Sequence, residues 1–251
     1  MSSRIVQRPR SLDEVIDLSC AYVRAYGAEV GAGCSFLALA GTLVALTMAR
    51  TFELDWGRRW ALVILESVLV GRVALACFVQ HVFGRPFHLV SGLLAVAQRP
   101  ATLVAPSTWP WLLALTVSPG GIWGLVTSLS LIVAAPLVLA RSALTNAVVF
   151  AERTTTTAAV RRSHTLTRER VARTTLSIGA GAIILALGGV VGDQIFVIAL
   201  EATELHVEAD SLSADRGSWG AVFGLLLASC FSAAMRALEY ADAIAAEERR
   251  V

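Results

Sequence analysis

Lysine is absent: all 21 basic residues are arginine. With abundant alanine, valine, leucine and glycine, this points to the codon bias of a GC-rich bacterial genome rather than to any chemistry. Charge of either sign is scarce. Charged residues make up 16% of the chain, against about 25% in an ordinary soluble domain, and they cancel to a net +2. A soluble fold this poor in charge would have little polar surface to turn toward water. Cysteine is limited to Cys20, Cys34, Cys77 and Cys230, no two of them close in sequence. That spacing suggests structural thiols in a reducing or lipid setting rather than disulfides. The histidines (His81, His88, His164, His206) show no zinc-ligand spacing relative to the cysteines, so no metal or other cofactor is expected. HExxH, P-loop and GxSxG motifs are all missing. The first 30 residues lack the apolar core of a cleavable signal peptide, so the first true span is expected to drive insertion.

What is present is apolar length. Hydrophobic residues make up 56% of 251, and the mean hydropathy is +0.67. Several runs reach the ~17–25 residues that cross a bilayer. The expected fold is all-α: a polytopic membrane bundle of about six transmembrane helices with interfacial amphipathic helices, forming a single integral membrane domain over 1–251. Spans are expected at about 31–49, 60–83, 101–117, 122–145, 174–192 and 218–240. An interfacial helix is expected over 11–26, where Leu12, Val15, Ile16, Tyr22, Val23 and Tyr26 share a face that Asp13, Asp17 and Arg24 avoid. Ser11 and Glu14 read as its capping box. Gly84-Arg85-Pro86 ends the second span, and 87–99 forms a weaker amphipathic stretch. Pro106, Pro110 and Pro136 interrupt spans three and four, which Ser118-Pro119-Gly120-Gly121 joins as a hairpin. Residues 151–173 are polar and basic, with helix expected from Ala158 to Arg173. The first half of the acidic stretch 193–217 suggests another interfacial helix.

An even number of spans puts both termini on one side. With the N-terminus in the cytoplasm, the inner segments hold 15 arginines and the outer loops four: Arg50, Arg58, Arg59 and Arg216. The positive-inside rule therefore favours N-in, C-in in the bacterial cytoplasmic (inner) membrane. The three arginines of the first outer loop run against it. The amphipathic stretches 11–26, 87–99 and 151–173 each precede two spans, which suggests three units of surface helix plus hairpin.

Two charges fall inside a span. Glu66 and Arg72 are six residues apart, about 600° around a helix, so they lie on different faces and cannot easily satisfy each other. An intramembrane charge marks a solute path or proton site by default. The alternative is that each bonds to a neighbouring helix and matters for assembly. The densest charge is Arg161, Arg162, Arg168, Arg170 and Arg173. Arg161, Arg162, Arg168 and Arg170 are candidates for contact with lipid phosphates or an acidic partner, or serve as a topology anchor. Gly192-Asp193 resembles half of an intramembrane aspartyl protease pair, but with no second membrane aspartate a helix-end role is expected. Glycine pairs four apart at Gly27/Gly31, Gly120/Gly124, Gly188/Gly192 and Gly220/Gly224 are expected to pack this chain's own helices.

Three stretches carry a resemblance. They are 8–26, from Arg-Pro-Arg-Ser-Leu-Asp-Glu to Tyr-Val-Arg-Ala-Tyr; Gly-Arg-Pro-Phe-His at 84–88; and Val-Val-Phe-Ala-Glu at 148–152, followed by Ala-Ala-Val-Arg-Arg-Ser-His-Thr-Leu-Thr-Arg at 158–168. Together they resemble the glycerophosphoryl diester phosphodiesterase membrane-domain-like family, the membrane domain found attached to some of those enzymes and also alone. The resemblance implies a six-helix membrane domain without the catalytic barrel, for which this chain has no room. Arg-Thr-Thr-Thr-Thr at 153–157 departs from the family's more apolar link. The expected function is a non-enzymatic integral membrane module: a scaffold or partner subunit of a larger assembly, in contact with anionic membrane lipids and a protein partner or second copy, and not with nucleic acid. The alternative is a transporter or lipid-handling protein, motivated by Glu66, Arg72 and the proline-broken spans. An intramembrane enzyme has only Asp193 and isolated histidines behind it.

Overall fold

A computed structural model describes residues 12–103, 139–202 and 217–248. Among them the chain is all helical, with no strand. Four helices are long and apolar enough to cross a membrane. The second of them, α3, spans Trp56–Val82 and the last, α8, spans Trp219–Glu248. The first is α2 (Ala32–Thr51) extended backward by a π-helical turn, Gly27–Gly31. The third, α7, is Val171–Ala202, of which Val171–Leu200 is the candidate span. Expected spans three and four, at 101–117 and 122–145, fall largely outside the described residues. So do Gly120/Gly124 and residues 203–216 of the acidic stretch 193–217.

Shorter helices lie between the long ones: α1 (Leu12–Ala25), α4 (Leu89–Ala97), α5 (Thr145–Glu152) and α6 (Thr156–Thr167). Local chemistry fixes their ends. Asp55 caps α3, accepting from the Arg58 amide at 2.9 Å. Gly84, at φ 86°, turns the chain after α3 in the left-handed region that glycine tolerates, and Pro86 prevents the helix from resuming. Arg153 adopts φ 54° after α5, and Thr155 caps α6.

Boundaries read from the sequence shift with packing. Expected span five stops at Gly192, but α7 continues through Asp193 to Ala202. Asp193 is therefore a buried residue inside a helix, not a helix-end residue. The apolar run at 195–200 that follows it belongs to the same candidate span. Likewise the helix expected from Ala158 to Arg173 breaks at 168–170, between α6 and α7.

Helix α8 is the common partner. Its most extensive contacts are with α7, then α3, then α2. In its most apolar stretch 67% is buried, against 11% for α7. Two glycine pairs explain how α7 and α8 approach. Gly188 and Gly192 lie directly against Gly224 and Gly220, so that a Cβ on Gly192 would sit 2.7 Å from the Gly224 Cα. Only a bare backbone fits there. Gly27 and Gly31 face no neighbour at all. The expected face of α1 docks onto the bundle through Val15 and Tyr22, both buried, while Ile16 and Val23 are half-buried.

The two glycine environments in α7 give opposite expectations. Gly192→Ala should separate α7 from α8 and lower the melting temperature in mild detergent by several degrees. Gly179→Ala, where a Cβ meets nothing within 4 Å, should leave it unchanged or raise it, because glycine costs a helix roughly 0.5–1 kcal/mol relative to alanine. Equal effects of the two substitutions would refute the glycine contact.

Candidate functional site

A helix of 30 residues is about 45 Å long, some 15 Å more than a bilayer's hydrocarbon core. The last ten or so residues of α8 can therefore project to the membrane edge, and there the sequence turns from Gly, Leu and Ala to Arg236, Glu239, Asp242 and Glu247. The basic segment meets these carboxylates. Asp242, fully buried, accepts from Arg170 at 2.7 Å and is ion-paired with Arg173 at 2.9 Å. Arg162 forms a bidentate pair with Glu247 and reaches Glu152 at 3.3 Å. Glu247 beside it holds the Arg162 guanidinium above its ordinary pKa. Arg236 donates to Glu239 at 2.7 Å and to the Ser177 hydroxyl, which itself donates to Glu239. Tyr240 donates to Glu152 at 3.1 Å. These pairs tie α5, α6 and the start of α7 to one end of α8.

The four candidate contact arginines thus divide in two. Arg162 and Arg170 face the protein. Arg161 and Arg168 are exposed, with exposed His164 between them on the same face of α6. The opposite face of α6 carries Ala159, Ser163, Leu166 and Thr167, all buried, and Ser163 donates to the Arg141 carbonyl at 2.8 Å. An arginine stripe on a helix that is pinned from behind can present its charges in fixed order.

Glu66 and Arg72 lie on different faces of α3, as their spacing requires. Their fates differ. Both carboxyl oxygens of Glu66 are covered and have no hydrogen-bond partner among the described residues. Arg72 is half-buried and interacts with neighbouring groups.

Two groupings were hidden by sequence distance. Cys34, Cys77 and Cys230 are buried in one hydrophobic cluster, although no two are close in the chain. Tyr22 and His81 are joined by a hydrogen bond through the imidazole Nδ1, and the Nε2 lies 3.6 Å from Glu29, which also accepts from the Phe87 amide at 3.0 Å. The π turn carries Glu29, so this link clasps α1 and the start of α2 to the end of α3. His88 is exposed and starts α4, so it shares no site with His81. Among the described residues, no group of three or more His, Cys, Asp or Glu side chains could hold a metal ion.

The described residues also enclose a groove of about 870 Å³. Its walls are α2 and α7, its floor is α8, and Val23 of α1 and Phe78 of α3 help close one end. The lining is almost wholly apolar and includes neither Glu66 nor Arg72.

Comparison with protein-family models, with curated proteins and with solved structures finds no match for the chain.

Two substitutions separate the roles of the buried acids. Asp242→Ala leaves Arg170 and Arg173 half-buried beside no carboxylate, which should cost about 3–5 kcal/mol. Glu66→Leu removes a covered carboxyl that has no partner, and should leave thermal stability in detergent unchanged or higher. Stability lost on Glu66→Leu and kept on Asp242→Ala would reverse this assignment.

Proposed function

We propose that the protein is a non-enzymatic integral membrane module that serves as a scaffold or partner subunit of a larger membrane assembly. The observation that carries this reading is how the polar side chains are used. Those at one end of α8 are engaged with one another, and Arg161, His164 and Arg168 face outward along a helix held from behind, with exposed Glu169 beside them. Such a stripe suits an anionic surface, either the headgroups of acidic lipids or an acidic partner, and each arginine near anionic headgroups contributes ~1 kcal/mol. The resemblance to the phosphodiesterase membrane-domain family belongs to the same proposal. Its most characteristic motif, 148–168, makes up α5 and α6, the elements that present the stripe.

The proposed setting is the bacterial cytoplasmic membrane, with six spans and both termini inside. Cys20 supplies a native reporter, because it is exposed on α1 while Cys34, Cys77 and Cys230 are buried. A membrane-impermeant maleimide should label it in inverted vesicles and not in intact spheroplasts. Labelling from the outside would sink the orientation.

Arg161→Glu with Arg168→Glu should leave the melting temperature within a degree or two, since neither side chain is buried. The same pair should reduce, at least severalfold, the acidic lipid or protein recovered with the detergent-purified chain. Recovery unchanged by this charge reversal would refute the stripe as a contact surface. Transport of a polar solute is the less favoured alternative, since the groove is apolar and Glu66 does not line it. Lipid handling is the alternative that the groove favours.

A further inference from the structure

We infer that the outward face of α6 takes the outward face of α1 from a second copy of this chain, so that copies join side by side in the membrane. This rests on the proposed role of the arginine stripe as a contact surface, and names its acidic partner.

Complementary charge argues first. The outward face of α6 carries Arg161 and His164, and Arg168 follows at its end. The outward face of α1 carries Asp13 and Asp17, both exposed, while Val15, Ser19 and Tyr22 are buried behind them. Asp13 and Asp17 are four residues apart, as are His164 and Arg168. Positions four apart on a helix are neighbours, about 5–6 Å between Cβ atoms, so the two pairs share one spacing. Run antiparallel, the helices place Asp13 by Arg168, Asp17 by His164 and Cys20 by Arg161. In that register Arg24, the one cation at the far end of α1, lies past the stripe at the level of Thr157.

Level argues second. Tyr22 of α1 is hydrogen-bonded to His81 at the end of α3, and Arg162 of α6 is paired with Glu247 at the end of α8. Those two ends lie together, since the rings of Phe83 and Tyr240 are 6.1 Å apart. The opposite ends meet at Trp56 and Trp219, with rings 5.5 Å apart. Helices α1 and α6 therefore sit at the same end of the bundle. Two copies inserted the same way bring α1 of one to α6 of the other by sliding within the membrane. An anionic lipid surface would attract α6 and repel the aspartates of α1 at the same end. A second copy satisfies both. Complementary potentials of this kind select partner and register more than they add affinity. The two faces differ, so the contact is head-to-tail and builds rings or rows of copies.

Cys20 supplies the test, because it is exposed on the acidic face of α1 while Cys34, Cys77 and Cys230 are buried. Thr165→Cys places a thiol between His164 and Arg168 at an exposed position. Mild oxidation of the full chain in its own membranes should then give covalent dimers, about fivefold more than Arg85→Cys, an exposed position off α6. Adding Cys20→Ser should abolish them. Dimers no more abundant than with Arg85→Cys, or dimers that persist without Cys20, would overturn the inference. Arg161→Glu with Arg168→Glu should cut the dimers about fivefold, as should Asp13→Arg with Asp17→Arg. All four together should restore at least about half of the yield, which no lipid contact would do. Failure to restore it would also overturn the inference. Charge reversal that lowers the recovered acidic lipid but leaves the dimers unchanged would sink this contact and leave the stripe as a lipid-facing surface. Should a charge-reversed chain not fold, the comparison of Thr165→Cys with Arg85→Cys decides alone.

Discussion

A carboxylate with no water around it must find cations or give up its charge, and Asp242 has found two. Arg170 and Arg173 come from the first turn of α7 and the residue before it, so this one buried acid fixes where α7 begins against α8. Some 19 residues later, about 28 Å along the helix, Gly188 and Gly192 press against Gly224 and Gly220. Two pins so far apart leave an antiparallel pair little freedom of angle. With α7 held there, and α2 held elsewhere on α8 by the contact of Gly41 with Leu226, the two helices stand apart. The groove between them is a product of those pins. The same ion pairs absorb Arg162 and Arg170, which sorts the basic segment into arginines that hold the fold and arginines that face outward.

The sequence is most legible where one physical term acts alone. Long apolar runs mark α2, α3, α7 and α8 because hydrocarbon tolerates little else, and Gly84-Arg85-Pro86 stops α3 because proline cannot continue a helix. The glycine pairs at 188/192 and 220/224 are visible as pairs, but only the fold shows that they meet each other. Boundaries suffer where a polar residue sits inside a span. Asp193 reads as a helix end on polarity, yet it is buried among apolar neighbours that carry α7 onward. The basic segment misleads for a related reason. Counting arginines cannot distinguish Arg161 from Arg162, since the deciding partner, Glu247, lies 85 residues away.

The groups that escaped the reading share that cause. Tyr22, Glu29 and His81 belong to three elements, and a lone tyrosine or histidine in an apolar stretch carries no local signal. Cys34 and Cys230 are 196 positions apart in the chain. Glu66 was visible as an anomaly from the outset, but its lack of a partner is a fact of packing. An intramembrane charge announces itself by composition; whether it is satisfied depends on neighbours that no spacing rule names.

Helix α8, the element against which the others pack, comes after all of them in the chain. During synthesis α2, α3 and α7 therefore enter the bilayer before their common support exists. Arg170 and Arg173 must wait for Asp242, and Gly188 and Gly192 lie open to lipid until Gly220 and Gly224 arrive. Assembly is thus withheld until α8 has been made. A ribosome that stops before residue 219 leaves inserted helices with exposed arginines and no partner, the kind of surface on which a membrane protease can act. Placing the keystone after its partners makes the packed bundle its own record that translation has passed α8.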